Sequence, residues 1–593
     1  MSSIVSAFDK KLPAKQLGEK GHVEHSWSVD PEQKVVQFFF QLVRSKDTSD
    51  LEKTLYSMLS NMRWETHREV LTTLYKLIGQ TRDIVGGKGE MDLTWMQLEV
   101  WSRFSMPLAF AAFVHIVDDR HPSLNKHQYG SWKDVKYFLA YLKSKTGSED
   151  HPLIEKILRS IVIPALRLDE SLMEQGKPVS LLGRWFPREK SSKKFNWIFH
   201  KVARMMYPEF MVEPARGWRN RDHMISAMKK QKIHLKRLIV ALSGEEKGSD
   251  TPQVKMAGKQ WSKLNFNNVT SVTLRKQKTA ILNKTKKGEQ RSSDEDRIKC
   301  ASNYVEHIQK AVSGDESKKV HGKRLDVGQL AKDGYSYNSH TDDNNETLRK
   351  TINLQWQSQA ENNKGLEDKP IVAMVDTSGS MECDDCLPLN NSIGLGIRIS
   401  EICHPAFRNR MLTFDAIPKW IDTSDCKDFV EKAQKVRKFA WGMNTDFHLA
   451  LDKMIEALVE SDVDPETVKN LILAVFSDMQ FDTCHHNINI FDDAYFQIKR
   501  KFAEAGMRTS HCKPYDTPHI LFWNLRKTTG FPATTYTKNI TFLSGYSSTL
   551  LNVFTTKGLD ALREVTPYTM LQDVVNKSRY DALQDNLNDF LCC

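Results

Sequence analysis

The sequence is poor in the features that mark secreted proteins. Nine cysteines in 593 residues are too few for a disulfide scaffold. The N-terminal stretch MSSIVSAFDKKLPAKQ lacks the apolar core of a secretory signal. We therefore expect an intracellular protein of a reducing, cytoplasmic compartment.

Long apolar runs and familiar catalytic motifs are missing as well. The longest apolar run, MPLAFAAFVHIV from Met106, is too short to cross a bilayer and predicts a buried helix, so we expect no transmembrane segment. The glycine-rich GGKGE at Gly86–Glu90 lacks the phosphate-loop pattern and predicts a helix cap and turn. No Gly-x-Ser-x-Gly or His-Glu-x-x-His motif occurs. The sequence therefore favours a binding protein over an enzyme.

Charge is distributed unevenly along the chain, whose formal net charge is +11. Residues 181–330 contain 33 lysines and arginines against 15 aspartates and glutamates, whereas residues 361–593 contain 25 against 32. A basic middle beside an acidic C-terminal part indicates two regions with different partners.

Hydrophobic periodicity divides the chain into five segments. We predict a flexible N-terminus (1–32), a helical region (33–180), a basic helical region (181–330) and a linker around a short helix (331–368). The helical region could stack paired helices as a HEAT-like solenoid. Residues 369–593 alternate short apolar runs with helical patterns, which predicts a doubly wound, Rossmann-like α/β domain on a parallel sheet.

The basic helical region interleaves its cations with aromatic residues, as in GRWFPREKSSKKFNWIFHK. Because lysine and arginine contact phosphates while aromatic rings stack on bases, we expect RNA or another polyanion here, with an affinity that falls steeply with salt. The alternative is a solvated helical face with core aromatics. The candidate contacts are Lys193, Lys194, Lys229, Lys230, Lys232, Lys236, Arg237, Arg275, Lys276, Lys278, Lys284, Lys286 and Lys287.

The stretch IVAMVDTSGSM places one carboxylate and two hydroxyls, Asp376, Ser378 and Ser380, on a single strand-end loop. WGMNTDF places Thr445 before a helix, and LILAVFSD places Asp478 at the end of another strand. Since ligands of such sheets bind beyond the carboxyl ends of the strands, we expect these oxygens to lie together. They suit Mg²⁺, or another divalent cation such as Mn²⁺. We expect the loop at the surface, so that Asp376→Ala leaves the fold intact.

These five residues resemble the metal-ion-dependent adhesion site of von Willebrand factor A domains. The resemblance implies direct coordination by Ser378 and Ser380, and coordination by Thr445 in the ligand-bound state. It implies that Asp376 and Asp478 act mostly through water. It also implies that an acidic residue of a protein partner completes the metal shell.

The whole layout, helices first and such a domain last, resembles the Ro-type (TROVE) RNA-binding proteins. In those a helical-repeat ring binds RNA and the A domain closes it. The segments TRDIVGGKGEMDL, GRWFPREKSSKKFNWIFHKVARMM, LQWQSQAENNKG and WGMNTDFHLAL resemble an uncharacterised family of large DNA viruses, plants and fungi, over most of residues 35–590. This second resemblance implies the two-part fold and no established activity; a viral source would add the virion as a location.

The sequence thus predicts a non-enzymatic, two-part binding protein. The basic region would bind RNA, and the A domain would bind an acidic partner through Mg²⁺ or hold the helical part closed. The alternatives are a protein-interaction scaffold without nucleic acid and a metal-dependent hydrolase. Cys383, Cys386, Cys484–His486 and His511–Cys512 could instead gather a zinc site, although a second Cys-x-x-Cys is missing.

Overall fold

The structure is a computed structural model of the 593-residue chain. It describes residues 15–21, 23–125, 127–211, 220–244, 251–285, 287–337, 343–363, 367, 369–413, 418–439, 447–481, 491–554 and 562–592.

Helices dominate the part of the chain that precedes the central sheet. The first begins at Asp30, whose carboxylate accepts the N–H of Gln33 at 3.0 Å, and Pro31 occupies its first turn. The helices of this part are Pro31–Gln41, Ser49–Asn61, Trp64–Arg82, Asp92–Phe104, Met106–Val117, Lys133–Thr146, Pro152–Ile157, Ile163–Glu174, Leu182–Trp185, Asn196–Met206, Asn220–Leu242, Pro252–Ala257, Ser271–Ile281, Glu295–Val312, Val327–Tyr335 and Asp343–Ala360.

The longest apolar run of the sequence forms helix Met106–Val117, as predicted, with Leu108, Phe113 and Ile116 buried in the core. Throughout the described ranges, no helix is long and apolar enough to cross a membrane.

The apolar core has two parts. A large cluster extends from the N-terminal helices into the sheet domain, from Val35 to Leu587. A smaller cluster around Phe266, Leu274 and Tyr304 is formed by residues of the basic region. The segment 264–308 therefore packs around an apolar centre of its own.

The first two strands, β1 (Lys15–Leu17) and β2 (Val23–His25), form a separate two-stranded sheet. The C-terminal part is built on a six-stranded, mostly parallel sheet. Its strands are β3 (Ile371–Val375), β4 (Arg410–Thr413), β5 (Lys419–Asp422), β6 (Ile472–Ser477), β7 (His519–Asn524) and β8 (Ile540–Ser544). Their order is β5-β4-β3-β6-β7-β8, and only β5, whose KWID sequence we did not predict as a strand, pairs antiparallel with its neighbour. β3, β6, β7 and β8 are buried along their whole length, as parallel strands with both faces covered must be.

Helices alternate with these strands, as the periodicity predicted. They are Cys383–Ile402, Phe429–Phe439, Phe447–Glu460, Pro465–Lys469, Phe491–Gly506, Pro567–Val575 and Asp581–Cys592. Cys383–Ile402 starts irregularly, because Asp384, Asp385 and Cys386 have left-handed φ values of 49°, 62° and 60°. The predicted fold class, a helical region followed by a Rossmann-like α/β domain, is confirmed; the predicted domain boundaries remain predictions.

A buried lysine joins the helical part to the edge of the sheet. Lys88, in the predicted GGKGE turn, donates from Nζ to the carbonyls of Phe39 (2.7 Å) and Leu42 (2.9 Å) and to Oγ of Ser544 (2.5 Å). Burial lowers its pKa well below the ordinary value. Because a buried ammonium without acceptors is costly, these three bonds fix the first helix against β8.

A second polar junction joins the last residues to the helical part. Arg579 donates to both oxygens of the buried Asp83, at 2.6 and 2.7 Å. From there helix Asp581–Cys592 packs against helices Met106–Val117 and Trp64–Arg82. The C-terminal end of the sheet domain is thus part of the helical layer.

Candidate functional site

Two neighbouring strands deliver candidate metal ligands to one edge of the sheet. Asp376 follows β3 directly, and Asp478 follows β6. β3 and β6 pair in parallel, and the chain proceeds outward from them in both directions, to β4 and β5 on one side and to β7 and β8 on the other. This reversal of strand order is the position at which doubly wound sheets bind ligands.

The carboxylate of Asp376 is fully buried and held on both oxygens. Oδ2 accepts the hydroxyl of Ser477 at 2.5 Å, and Oδ1 accepts the N–H of Ser378 at 2.9 Å. Burial and the nearby charge of Asp478 raise the pKa of Asp376 to about 7. Two carboxylates thus lie close together away from water, where a cation would relieve their repulsion.

Two hydroxyls complete the described oxygen set. Oγ of Ser378 and Oγ of Ser380 lie 3.0 Å apart; Ser378 is buried and Ser380 half-buried. The buried hydroxyl of the adjacent Thr377 has no hydrogen-bond partner among the described residues. Carboxylate and hydroxyl oxygens on adjoining loops, with an unsatisfied hydroxyl beside them, form a donor set that fits Mg²⁺ or Mn²⁺.

The expectation that the loop of Asp376 lies at the surface is wrong. Asp376, Ser378 and Asp478 are each 0 % exposed. The helices and loops around the sheet cover the strand ends more completely than the sequence suggested. Truncation of Asp376 would therefore leave buried donors without an acceptor, and Asp376→Ala is not a neutral probe of the fold.

Asp478 has a cationic neighbour that the sequence did not suggest. Arg526, two residues after β7, donates from Nε to Oδ2 of Asp478 at 2.9 Å, while Oδ1 accepts the N–H of Gln480 at 3.1 Å. The same guanidinium donates to the carboxylate of Glu19 at 2.6 Å. These partners are 48 and 507 residues apart from Arg526 in the chain, so no local pattern could have indicated them.

The remaining metal predictions are partly outside the described ranges. Thr445 and Cys484–His486 lie there, and the role of Thr445 stays a prediction. Among the residues that the structure does describe, no group of three or more His, Cys, Asp and Glu side chains could hold a metal. The described cysteines and histidines therefore form no zinc site by themselves, and the zinc alternative, which includes Cys484–His486, stays a prediction. His511 instead contacts the backbone carbonyl of Asp462 at 3.3 Å.

Lys193 and Lys194 belong to a cluster of cations and aromatic rings. Nζ of Lys194 lies 5.8 Å from the ring centroid of Tyr137, and Tyr137 meets Phe195 edge to face at 5.1 Å. Nζ of Lys136 lies 5.2 Å from the ring of Trp185. We call the following residues the basic aromatic cluster: Lys133, Lys136, Arg184, Arg188, Lys193 and Lys194 around Tyr137, Trp185 and Phe195.

The charges of the basic aromatic cluster are not neutralised within the described chain. None of its six cations is within 4.0 Å of a carboxylate of a described residue. Burial, together with the charges of Lys133 and Arg188, lowers the pKa of Lys136. Asp134, the nearest acidic group in sequence, is buried and bound to Arg82 at 2.7 Å. The cluster is therefore a concentrated positive site whose cations form no ion pair with a described residue.

An open pocket of about 650 Å³ adjoins the basic aromatic cluster. Its lining includes Tyr137, Tyr141, Lys193 and Lys194, together with one carboxylate, that of the exposed Asp92. The pocket combines ring surfaces with lysine side chains, which is the composition expected where a planar, anionic ligand binds.

Most of the other predicted polyanion contacts do not join this cluster. Arg275 and Lys278 form ion pairs with Asp333, at 2.8 and 2.9 Å. Exposed cations without such a pair among the described residues include Lys229, Lys230, Lys236, Arg237, Lys276 and Lys287; Lys232 and Lys284 are half-buried, and Lys286 lies outside the described residues.

The preceding helical region contributes residues to the basic aromatic cluster that the charge pattern did not indicate. Lys133, Lys136 and Tyr137 lie on helix Lys133–Thr146, upstream of the basic segment. Their three- and four-residue spacing in WKDVKYF places them on one helical face, which is the signal that could have indicated them.

The structure therefore defines a Rossmann-like α/β domain with an oxygen-lined site at its topological switch point, preceded by helices that present a basic aromatic cluster. Residues 370–586, which contain the sheet and the described candidate metal ligands, are similar to a family described as a domain of unknown function (DUF7788). No curated protein matches the chain. The family match covers the sheet domain and brings no activity with it.

Proposed function

We propose that the chain is a two-part binding protein. The basic aromatic cluster binds RNA, and the oxygen-lined sheet edge binds an acidic protein partner through Mg²⁺. The resemblance of Asp376, Ser378, Ser380, Thr445 and Asp478 to a metal-ion-dependent adhesion site supports the second part. The resemblance of the whole layout to Ro-type proteins supports the first.

The observation that carries the RNA proposal is the set of unpaired cations around three aromatic rings. Cations held together without counter-charges repel one another, and a phosphate backbone relieves that repulsion as it releases its own counterions. Tyr137, Trp185 and Phe195 are half-buried, so part of each ring is accessible for stacking. Because a duplex hides the faces of its bases, rings beside an open pocket favour single-stranded RNA.

The metal half of the proposal rests on the described oxygens. Ser378 and Ser380 would hold the cation directly, and Asp376 and Asp478 would neutralise it from the two strand ends. A bound divalent cation would supply an open coordination position for a carboxylate oxygen of the partner. The residues of the chain then act by binding and orientation, and no reaction step is required of them.

The experiment that tests the RNA proposal is purification of the full chain from its native setting at moderate salt, followed by nuclease treatment. We expect nuclease-sensitive, single-stranded RNA to copurify and to be lost at high salt. A preparation that is free of nucleic acid, and that brings down proteins only in the presence of Mg²⁺, would refute RNA binding and leave the scaffold alternative.

One observation favours that alternative, a protein-interaction scaffold. Helix Asn220–Leu242 exposes Met224, Ile225 and Val240, which are 50 %, 56 % and 59 % exposed, beside its lysines. An apolar and basic helical surface suits an acidic, amphipathic protein segment. Protein capture that is lost on substitution of these apolar residues, and that resists nuclease, would support it.

A further inference from the structure

A short hairpin near the N-terminus lies over the candidate metal site. β1 (Lys15–Leu17) pairs antiparallel with β2 (Val23–His25). His25 exchanges two backbone hydrogen bonds with Phe531, at 3.1 and 3.0 Å, in the connection between β7 and β8. The hairpin is thus fixed to the connection between β7 and β8.

The turn of this hairpin brings an acidic residue to the site. The N–H of Glu19 donates to Oε1 of Gln480 at 2.8 Å, two residues after Asp478. The carboxylate of Glu19 accepts two bonds from Arg526, at 2.6 and 3.3 Å. Arg526 in turn contacts Asp478 at 2.9 Å. Glu19, Arg526 and Asp478 therefore form a continuous chain of charges from the surface to the buried strand end.

The charges of the site explain why an acidic group belongs there. Asp478 contacts the guanidinium of Arg526 at 2.9 Å, and Asp376 lies close enough to Asp478 for the charge of Asp478 to raise its pKa. With a divalent cation bound, this set carries one net positive charge and attracts a single carboxylate. Arg526 offers that carboxylate a planar fork, which is the geometry that its contact with Glu19 already shows.

We propose that Arg526 binds the acidic group of the partner together with the cation, and that Glu19 of the chain's own hairpin occupies Arg526 until an acidic peptide segment displaces it. This inference rests on the proposed metal-dependent binding function. Glu19 is suited to release, because its side chain is 49 % exposed while the hairpin stays anchored through Phe531. Glu19 then competes with the partner for Arg526, so that only a segment that binds more tightly than Glu19 displaces it.

The test uses the full chain and a fluorescein-labelled hexaglutamate peptide in Mg²⁺, read by fluorescence anisotropy. Glu19→Gln removes the internal carboxylate and should tighten peptide binding by roughly 3- to 10-fold, the range of one charge-assisted contact. Arg526→Gln should weaken it by roughly 10-fold or more. Arg526→Lys keeps the positive charge but not the planar, two-pronged donor, so its peptide affinity should lie between those of wild type and Arg526→Gln. The matched control is Glu69→Gln, an exposed acidic residue on helix Trp64–Arg82.

A second readout separates this inference from the proposed function. Mn²⁺ binding, measured by electron paramagnetic resonance without peptide, should persist in Glu19→Gln and in Arg526→Gln. If wild type binds neither Mn²⁺ nor peptide, the metal function itself is wrong. The inference is overturned if wild type binds both Mn²⁺ and peptide but Glu19→Gln has the same peptide affinity as Glu69→Gln. It is also overturned if Arg526→Gln binds the peptide as tightly as wild type does. In both cases the metal function stands.

Discussion

Replacing Lys136 and Lys194 with glutamine should weaken the binding of single-stranded RNA and flatten its salt dependence. Both lysines face rings of the basic aromatic cluster, and neither has a carboxylate partner among the described residues. Glutamine keeps most of the side-chain stem, so the packing against Trp185 and Tyr137 is retained while the charge is lost.

The size of the effect follows from counterion release. Each phosphate contact on a single strand contributes about −0.7 to the slope of log K against log salt concentration. Loss of two contacts should therefore reduce the magnitude of the slope by about 1.4. RNA binding by the double variant should be about 25-fold weaker than that of wild type near 0.1 M salt, and the two affinities should become equal near 1 M salt. The loss should be uniform across RNA sequences, because phosphates carry no sequence information.

The assay is fluorescence anisotropy of a labelled single-stranded RNA over a range of salt concentrations. Lys513→Gln is the matched control, since Lys513 is exposed on the sheet domain and forms no ion pair with a described residue. Its slope should equal that of wild type. If the double variant retains the wild-type slope, these lysines do not contact phosphates, and the polyanion surface lies elsewhere or does not exist.

Two further predictions concern stability. Asp376→Ala should lower the thermal unfolding midpoint measured in EDTA at pH ~5, where Asp376 is protonated and does not repel Asp478. The reason is that the buried hydroxyl of Ser477 loses its acceptor, at a cost of about 1–3 kcal/mol; an unchanged midpoint would contradict this. Burial lowers the pKa of His519 to about 4, and its ring contacts Thr541 at 2.8 Å. Above pH ~6.5 the neutral ring should contribute up to about 3 kcal/mol to the free energy of unfolding. This contribution should disappear as the pH falls toward ~4, where the folded protein also binds the proton. The difference in urea midpoint between wild type and His519→Gln should shrink over that range.

The parts of the fold that depend on local pattern could be predicted from the sequence. The runs IVAMVD, LILAVFSD and HILFWNL are strands, because unbroken apolar runs of that length suit a sheet covered on both faces. Adjacency of Asp376 and Asp478 follows from the same pattern, since neighbouring parallel strands end at one edge.

The parts of the fold that depend on contacts between distant segments could not be predicted from the sequence. The GGKGE turn was predicted as a turn, but nothing in five residues indicates that Lys88 enters a buried site against Ser544, 456 residues later. In the same way, Arg275 and Lys278 look like free cations until Asp333 is placed beside them. A run of basic residues predicts a basic region, but it does not indicate which of its lysines and arginines form ion pairs.

The way in which the two parts join determines how the protein should be studied. Lys88 is buried against carbonyls of the first helix and a hydroxyl of β8, and Arg579 binds the buried Asp83. Dividing the chain near residue 369 would separate Lys88 from Ser544 and Arg579 from Asp83. Because removal of one partner from a buried charged pair is strongly destabilising, each half should be less stable than the whole chain. The hairpin with Glu19 would also be separated from Arg526. A metal site measured on an isolated sheet domain would therefore be a different site from the one in the whole chain.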